Sequence, residues 1–419
     1  MQVSEQTIFD GTDSFLSLKH LVLRGTNFEI GQTLAEMALE KQGQAAIPLP
    51  ASRDHVRARR AYFQRSYPIH WQRMRGVAAA FGLDPEDDRC DMSTLWGNLE
   101  VEMPSMGCSV AYYPPSITAG GRGYLSRNMD FPKDISIADV MRLPLAAEER
   151  KRMPSMMSEP TIMEWYPEDG GYASLAIHAF DALTGTMDGM NSAGLVISQM
   201  TDEDAIAELG PDLESHPGLP HVVGLHELQV LRFLLDTCAT ADEAKEALLT
   251  CKQYYGFSPL HYIVADKAGN SFIYETSTGR NVQYIIDGNG QPQVVTNFQL
   301  YKHPNVDQMP KVKLSWENDA FWRYQTLVER ISKQNDLFTV DDIKANHASV
   351  NFMRLIEEMG ADPSYEGNDA DDRVRTLWHS LYDQQAGTAE FSFYLGEKEL
   401  ADGTRTEYRS DYLRFALDT

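Results

Sequence analysis

Apolar residues recur at helical spacing through much of the first hundred residues. The segments LAEMALEKQ (34–42) and VRARRAYFQRSYPIHWQRMRGVAAAF (56–81) place them three or four positions apart, which predicts amphipathic helices. From Cys108 the pattern changes to short runs rich in β-branched and aromatic residues, which Gly and Pro clusters separate and which are typical of strands. These runs are SVAYYPP (109–115), GYLSRNMDF (123–131), YASLAIHAF (172–180) and GLVISQM (194–200).

Two helices and a second group of strands follow. Residues 225–250 return to helical spacing, and Thr240 with Glu243 forms a capping box for the second of these helices. The tripeptide AGN at 268–270 predicts a hairpin turn. Later patterns predict strands at 281–286 and 293–298, a helix at 320–334 and a hairpin at 376–397. Because strands and helices are segregated rather than alternating, the order favours a layered α+β fold.

Charge and hydropathy exclude several classes of partner. The formal net charge is -24, and the sequence has no stretch in which Lys and Arg are interleaved with aromatic residues. We therefore expect no nucleic-acid partner. The chain has no run of about 18 apolar residues, so we expect no membrane partner. The first twenty residues lack a basic segment followed by an apolar one, which makes the cytoplasm the expected location.

The four cysteines, at positions 90, 108, 238 and 251, form no CxxC pair. Their scatter along a long chain predicts neither a structural zinc site nor a disulfide framework. We therefore expect no metal and no other cofactor. Only Cys108 has neighbours that suggest chemistry.

Cys108 follows Gly107, and this pair suggests how the thiol is activated. A nucleophilic cysteine needs a base, and when it begins its chain its own α-amine, with a pKa of about 8, can serve. An internal cysteine reaches that state only if the bond before it is cut. Glycine leaves its carbonyl unobstructed, so the Cys108 thiol could attack it and water could then release the two pieces.

Arg127 and Asp130 lie about one hairpin beyond Cys108, on the predicted returning strand. That strand could bring Arg127 near the thiolate and Asp130 near the new α-amine, since a cation lowers a thiol pKa and a carboxylate orients an ammonium. A surface ion pair at the boundary of a strand is the alternative interpretation.

Three more polar residues occupy places from which they could reach the same site. Asn191 lies in the turn GMNSAGL, and Asn297 ends the apolar strand QVVTNF; each could supply an oxyanion donor or simply shape a turn. Arg323 lies on the predicted helix at 320–334, where it is either a site residue or a surface arginine.

Taken in order, Cys108, RNMDF (127–131), GMNSAGL (189–195) and TNF (296–298) resemble the N-terminal-nucleophile hydrolases of the choloylglycine hydrolase and penicillin acylase type. The chain is most similar to the branch of the acyl-CoA:6-aminopenicillanic acid acyltransferases. GTNFEIG (25–31) resembles a motif of that branch's propeptide, and HYIVADKAGNSFIYE (261–275) resembles its strand-turn-strand segment.

The resemblance implies a four-layer αββα sandwich and a role for each residue. It makes Cys108 the nucleophile and, through its α-amine, the base. It places Arg127 beside the thiol and Asp130 on the amine. The backbone N–H of Asn191 and the side chain of Asn297 would form the oxyanion hole, and Arg323 would support the site from its helix.

The same resemblance divides the chain in two. Residues 1–107 would be a mostly helical, propeptide-like segment that packs on the core, and residues 108–419 the catalytic core. The Met-rich, acidic segment 132–169 looks like an insertion over the pocket. Ser109 departs from the threonine that usually follows the cysteine in this branch.

Three functions remain open from the sequence. The first is a hydrolase of linear, non-peptide amides with an apolar acyl group, activated by autoproteolysis between Gly107 and Cys108. The second is an acyltransferase that passes the acyl group to an amine or takes it from acyl-CoA. The third is an uncut binding or scaffold protein. The sequence also leaves a homo-oligomer open.

Overall fold

The computed structural model describes residues 1–42, 52–95, 107–133, 135–136, 155–209, 223–255, 258–303, 305, 309, 314–315, 318–360, 374–401 and 405–418. Two stacked sheets form its centre. The first sheet has the strand order β1-β2-β5-β6-β7-β8-β11-β12-β13. Its strands are β1 (Gln2–Asp10), β2 (Ser17–Gly25), β5 (Thr161–Pro167), β6 (Ser174–His178), β7 (Thr186–Asn191), β8 (Val196–Thr201), β11 (Leu260–Ala265), β12 (Ser271–Ser277) and β13 (Val282–Asp287).

The second sheet has the order β14-β3-β4-β15-β16-β17, with β18 also paired to β16. Its strands are β3 (Gly107–Tyr113), β4 (Tyr124–Pro132), β14 (Gln293–Val295), β15 (Val374–Asp383), β16 (Thr388–Glu399), β17 (Arg405–Arg409) and β18 (Leu413–Ala416). A small parallel pair completes the strands: β9 (Leu225–His226) and β10 (Gln253–Tyr254). Strands β3 and β4 are buried along their whole length, because the first sheet covers one face and helices cover the other.

Helices cover the outer face of each sheet. The helices of the described residues are α1 (Asn27–Gln42), α2 (Arg53–Ser66), α3 (Pro68–Ala80), α4 (Glu203–Leu209), α5 (Glu227–Thr237), α6 (Ala241–Thr250), α7 (Asp319–Lys333), α8 (Val340–Ala348) and α9 (Phe352–Met359). Helices α5 and α6 pack on the first sheet, and α7, α8 and α9 pack on the second. The predicted α+β sandwich with four αββα layers is therefore confirmed.

Several local predictions are also confirmed. Helix α6 begins at the capping box of Thr240 and Glu243. The hairpin between β11 and β12 turns at Gly269, whose φ of 95° is readily adopted by glycine, while Asp266 accepts backbone N–H bonds from the turn. None of the described helices is both long and apolar enough to cross a membrane.

The prediction of a mostly helical first segment is wrong for its first quarter. Residues 2–25 form the hairpin of β1 and β2, and β2 pairs in parallel with β5 of the first sheet. The helices α1 to α3 then follow as predicted. Residues 1–107 thus contribute strands to a sheet of the core, rather than only packing on it.

Helices α1 and α3 touch through two glycines. A Cβ atom on Gly31 would collide with the backbone of Arg73, and one on Gly76 would collide with the backbone of Phe28. Gly31 is the last residue of the GTNFEIG motif. The close approach of the two helices therefore explains why the motif ends in glycine.

The predicted insertion at 132–169 is shorter than its boundaries suggest. Residues 161–167 are strand β5, which joins β2 to β6 inside the first sheet. Residue 134 and residues 137–154 of this segment lie outside the described residues.

Candidate active site

Cys108 is the second residue of β3, and only 2% of its surface is exposed. It lies opposite Met129 on β4, while Val110 lies opposite Arg127. Because alternate residues of a strand share a face, Arg127 and Met129 both point toward the thiol. An Nη2 hydrogen of Arg127 is donated to Sγ of Cys108 at 3.5 Å, and Sδ of Met129 is 3.8 Å from the same sulfur.

Arg127 also connects the two sheets. Its Nη1 donates to the carboxylate of Asp188 on β7 and, at 3.3 Å, to the carbonyl oxygen of Met187. The hydroxyl of Tyr382 donates to the second oxygen of Asp188. All these groups are buried, so the guanidinium is fixed beside the sulfur by the carboxylate of Asp188, which no local sequence pattern indicates.

Asn297 and Arg323 hold the backbone of Cys108. Asn297 continues the register of β14 beyond Val295 and comes to lie opposite Cys108. Its Oδ1 accepts the N–H of Cys108 at 2.8 Å and an Nη2 hydrogen of Arg323 at 2.9 Å. Nη1 of Arg323 donates to the carbonyl oxygen of Cys108, and its Nε donates to Asp319 at 2.9 Å. Arg323 therefore reaches the backbone of Cys108 from helix α7.

Asp130 faces the helices instead of the thiol. It lies opposite Gly107, one position along β4 from the face of Arg127 and Met129. Its Oδ1 accepts the hydroxyl of Thr376 at 2.5 Å, whereas its Oδ2 is buried without a hydrogen-bond partner among the described residues. In the uncut chain, the group on the Cys108 nitrogen is thus Asn297, and one oxygen of Asp130 is left open.

The predicted place of Asn191 is wrong. Its backbone N–H donates to the carbonyl of Leu195 at 3.0 Å, so this hydrogen cannot serve an oxyanion. Its side chain holds the turn, with Oδ1 accepting the N–H of Leu195 and Nδ2 donating to the carbonyls of Leu235 and Cys238. The turn interpretation of Asn191 is the correct one.

Thr201 lies closer to the site and was missed. Its carbonyl accepts an Nδ2 hydrogen of Asn297 at 3.0 Å, and its own hydroxyl is buried with no partner among the described residues. Asn297 therefore has a single Nδ2 hydrogen left for an oxyanion. Thr201 ends β8 just before an acidic run, and nothing in its local pattern distinguishes it.

Phe352 covers the bond before Cys108. A Cβ atom placed on Gly107 would lie 2.6 Å from the ring of Phe352 and 3.0 Å from Cβ of Asp130. The guanidinium carbon of Arg323 lies 5.7 Å from the centre of the same ring. A side chain at position 107 would therefore require the ring of Phe352 to shift, so the packing around this bond favours glycine.

Burial controls the charges in the site. It raises the pKa of the Cys108 thiol, while Arg127 acts in the opposite direction. It also raises the pKa of Asp130 from 3.8 to about 7, against the opposing effects of Arg323 and Thr376. Within the ranges that the structure describes, no group of His, Cys, Asp and Glu is arranged to hold a metal ion.

The two stacked sheets between helical layers are the αββα architecture that the resemblance to the N-terminal-nucleophile hydrolases implies. The chain belongs to the acyl-coenzyme A:6-aminopenicillanic acid acyl-transferase family, whose model matches residues 119–398, about two thirds of its length. The five predicted partner residues of Cys108 lie inside this match, and Cys108 precedes it. The family resemblance is confirmed.

Solved structures of two enzymes are similar to the chain at low identity. Penicillin V acylase from Agrobacterium tumefaciens is 19% identical, with 68% of this chain and 83% of that chain covered and a TM-score of 0.42. A mutant of conjugated bile acid hydrolase from Clostridium perfringens is 15% identical, with 73% of this chain and 97% of that chain covered and a TM-score of 0.45. No curated protein matches the chain.

Proposed function

We propose that the protein is a cysteine-nucleophile hydrolase of linear, non-peptide amides, and that cutting between Gly107 and Cys108 activates it. One observation carries the proposal: three different buried groups hold the three polar parts of Cys108. Arg127 donates to its sulfur, Asn297 accepts from its nitrogen, and Arg323 donates to its carbonyl oxygen.

The first step is the cut itself. The Cys108 thiolate adds to the carbonyl carbon of Gly107, the C–N bond breaks, and the nitrogen takes a proton to become the α-amine. Gly107 is then held as a thioester, which water hydrolyses to a carboxylate and the free thiol. Arg127 stabilises the thiolate, and Asn297 keeps the nitrogen in place as it leaves.

The same atoms then act on substrate. The α-amine takes the thiol proton, the thiolate attacks the amide carbonyl, and the amine product leaves with that proton. Water releases the acyl group from the thioester. In this proposal the open Oδ2 of Asp130 receives the new α-ammonium, and an Nδ2 hydrogen of Asn297 serves the oxyanion. An apolar acyl group is the expected substrate half.

Acyl transfer is the second candidate, and the description of the matching family favours it. It differs only in that an amine, instead of water, takes the acyl group from the thioester, or that acyl-CoA supplies that group. The chain shows no glycine loop of the phosphate-binding type for CoA, so we place hydrolysis first.

Intact mass tests the cut. Wild-type protein is expected to show two pieces, 1–107 and 108–419, and Cys108→Ala a single chain without amidase activity. An uncut wild-type protein that hydrolyses amides would refute the α-amine mechanism, and an uncut protein without activity would support the scaffold alternative. Assays of amine release from N-acyl amino acids, penicillins and bile-salt-like amides, with and without an acceptor amine, would then separate hydrolysis from transfer.

Thiol labelling tests the nucleophile independently of substrate. Burial raises the pKa of both Cys108 and Cys238, to about 11 for Cys238. In cut protein, Cys108 is nevertheless expected to react with iodoacetamide well before Cys238, because Arg127 and the freed α-amine favour its thiolate. Equal labelling of the two cysteines would contradict a catalytic role for Cys108.

A further inference from the structure

A buried charged cluster lies beneath Asn297 and has no part in the steps above. It consists of His261 on β11, Glu275 on β12 and Asp202 just after β8, and we call it the His261 cluster. None of the three side chains is more than 1% exposed. His261 and Glu275 belong to the strand-turn-strand segment that resembles the family, yet the catalytic steps assign them nothing.

Both ring nitrogens of His261 face acceptors. Nε2 lies 2.6 Å from the carbonyl oxygen of Thr296, and a carbonyl can only accept, so Nε2 is the donor. Nδ1 lies 3.3 Å from Oε1 of Glu275 and 4.0 Å from a carboxylate oxygen of Asp202. Burial alone would lower the pKa of His261, but Glu275 and Asp202 raise it, which fits an imidazolium that donates from both nitrogens.

The carboxylates of the cluster bind the residues that follow Asn297, whereas His261 binds Thr296 before it. Oε1 of Glu275 accepts the N–H of Leu300 at 2.8 Å, and Oε2 accepts that of Tyr301 at 2.9 Å. Oδ2 of Asp202 accepts an Nε2 hydrogen of Gln299 at 2.9 Å. The cluster thus holds residues 296–301 immediately before and shortly after Asn297.

Core packing alone does not explain this arrangement. Burying charges costs free energy that apolar side chains of similar size would avoid. Here each of the three residues forms a hydrogen bond with residues 296–301. This segment contains Asn297, which accepts the N–H of Cys108.

We propose that His261 and Glu275 are positioning residues, which fix Asn297 against Cys108 by holding the backbone on both sides of it. The proposal rests on the function proposed above for the catalytic steps, but the holding itself is a property of the uncut chain. It predicts that loss of the His261 bond loosens residues 297–301 and acts on the chemistry only through Asn297.

Hydrogen exchange tests the holding without any activity. In full-length Cys108→Ala protein, His261→Leu should speed exchange of the amides of Phe298 to Tyr301 by about tenfold or more, because local opening becomes easier. His178→Leu is the matched control, since this buried histidine lies on β6 and bonds Thr186 instead. Exchange in this segment that is equal in the two variants would overturn the proposal.

A double-mutant cycle tests the route to the chemistry. His261→Leu should lower the rate of self-cleavage and the kcat for an amide by about tenfold or more, with little change in KM. In an Asn297→Ala background the same change should have almost no further effect, because coupled residues are not additive. His261→Gln, whose amide can donate to Thr296, should restore most of the rate.

Additive effects of His261→Leu and Asn297→Ala, or no rescue by glutamine, would overturn the proposal even in an active enzyme. Wild-type protein that neither cuts itself nor hydrolyses any amide would instead refute the function proposed for the site. Exchange would still decide whether the His261 cluster holds the segment.

Discussion

Gly107 lies against the ring of Phe352, and this contact decides which residue can precede Cys108. Gly107→Ala would place a methyl group 2.6 Å from that ring and 3.0 Å from Cβ of Asp130. We expect it to destabilise the uncut Cys108→Ala protein by roughly 1–3 kcal/mol, as overpacking does, and to slow self-cleavage in the presence of Cys108. Urea unfolding and a time course of intact mass would measure the two effects.

Gly279→Ala is the matched control for this change, since its Cβ would make only an ordinary contact at 3.7 Å with Glu208. Adding Phe352→Leu to Gly107→Ala should recover part of the lost stability. Equal unfolding midpoints for the two alanine variants would show that the ring does not limit position 107.

Asp130 should make the stability of the uncut protein depend on pH. Burial raises its pKa from 3.8 to about 7, so the folded chain binds this proton more tightly than the unfolded chain does. As the pH rises from about 4 to about 7, Asp130 ionises in the unfolded chain but stays protonated in the folded one, so the unfolding free energy should fall by roughly a few kcal/mol relative to Asp130→Asn, and the difference should level off above pH 7. Urea unfolding of both proteins in a Cys108→Ala background at several pH values would measure it. Parallel pH curves would contradict the high pKa of Asp130.

How well the sequence predicts a site residue depends on what places that residue. Arg127 could be placed near Cys108 because it lies on the next strand of the same hairpin, and because alternate residues of a strand point to the same face of the sheet. Asn191 could not, because its N–H is taken by the carbonyl of Leu195 across a turn whose closure the pattern does not show. Asp188 and Thr376 come from distant segments, and only tertiary packing brings them to Arg127 and Asp130.

At the scale of elements, Thr376 joins β4, β15 and α9. Its hydroxyl donates to Asp130 and accepts the N–H of Phe352 at 3.0 Å, next to a bulge that shifts the β15 register before Trp378. Thr376→Val would leave both partners buried and unpaired. We expect each buried group that loses its hydrogen bond to lower the unfolding free energy by roughly 1–3 kcal/mol. Urea unfolding would measure this loss.

Thr376→Ser keeps the hydroxyl and is the control for this change. It should retain most of the stability that Thr376→Val loses. Equal stability of the valine and serine variants would show that the hydroxyl does not couple the helix to Asp130.

Element types were more predictable than element neighbours. The capping box at Thr240 and the turn at Gly269 are local signals, and both were predicted. The hairpin of β1 and β2 was missed because most of β1 is exposed and polar, so it lacks the alternation that marks a half-buried strand. The parallel pairing of β2 with β5 joins segments far apart in sequence, which no local pattern predicts.

At the scale of the whole molecule, a cut after Gly107 would leave two chains that share one sheet and one buried ion cluster. In this cluster, Asp236 on α5 accepts hydrogen bonds from Arg73 and Tyr67 of the first segment and forms an ion pair with Arg232 of its own helix. The guanidinium carbons of Arg73 and Arg232 lie 4.6 and 4.7 Å from the ring centre of Trp165. Burial would raise the pKa of Asp236, but Arg232 and Arg73 lower it, so the carboxylate is ionised and its stabilising effect is lost only as the pH falls through that lowered pKa.

The two pieces should therefore remain together after the cut and separate only in denaturant. Asp236→Asn would leave Arg73 and Arg232 buried without their counter-charge, a change that typically costs about 3–5 kcal/mol. Size-exclusion chromatography of cut protein in increasing urea should show residues 1–107 leaving at a lower concentration in Asp236→Asn than in wild type. Asp242→Asn, an exposed change on α6, should leave the wild-type separation point unchanged. Separation of the pieces without urea, or at one urea concentration in both variants, would mean that the ion cluster does not hold the first segment to the core.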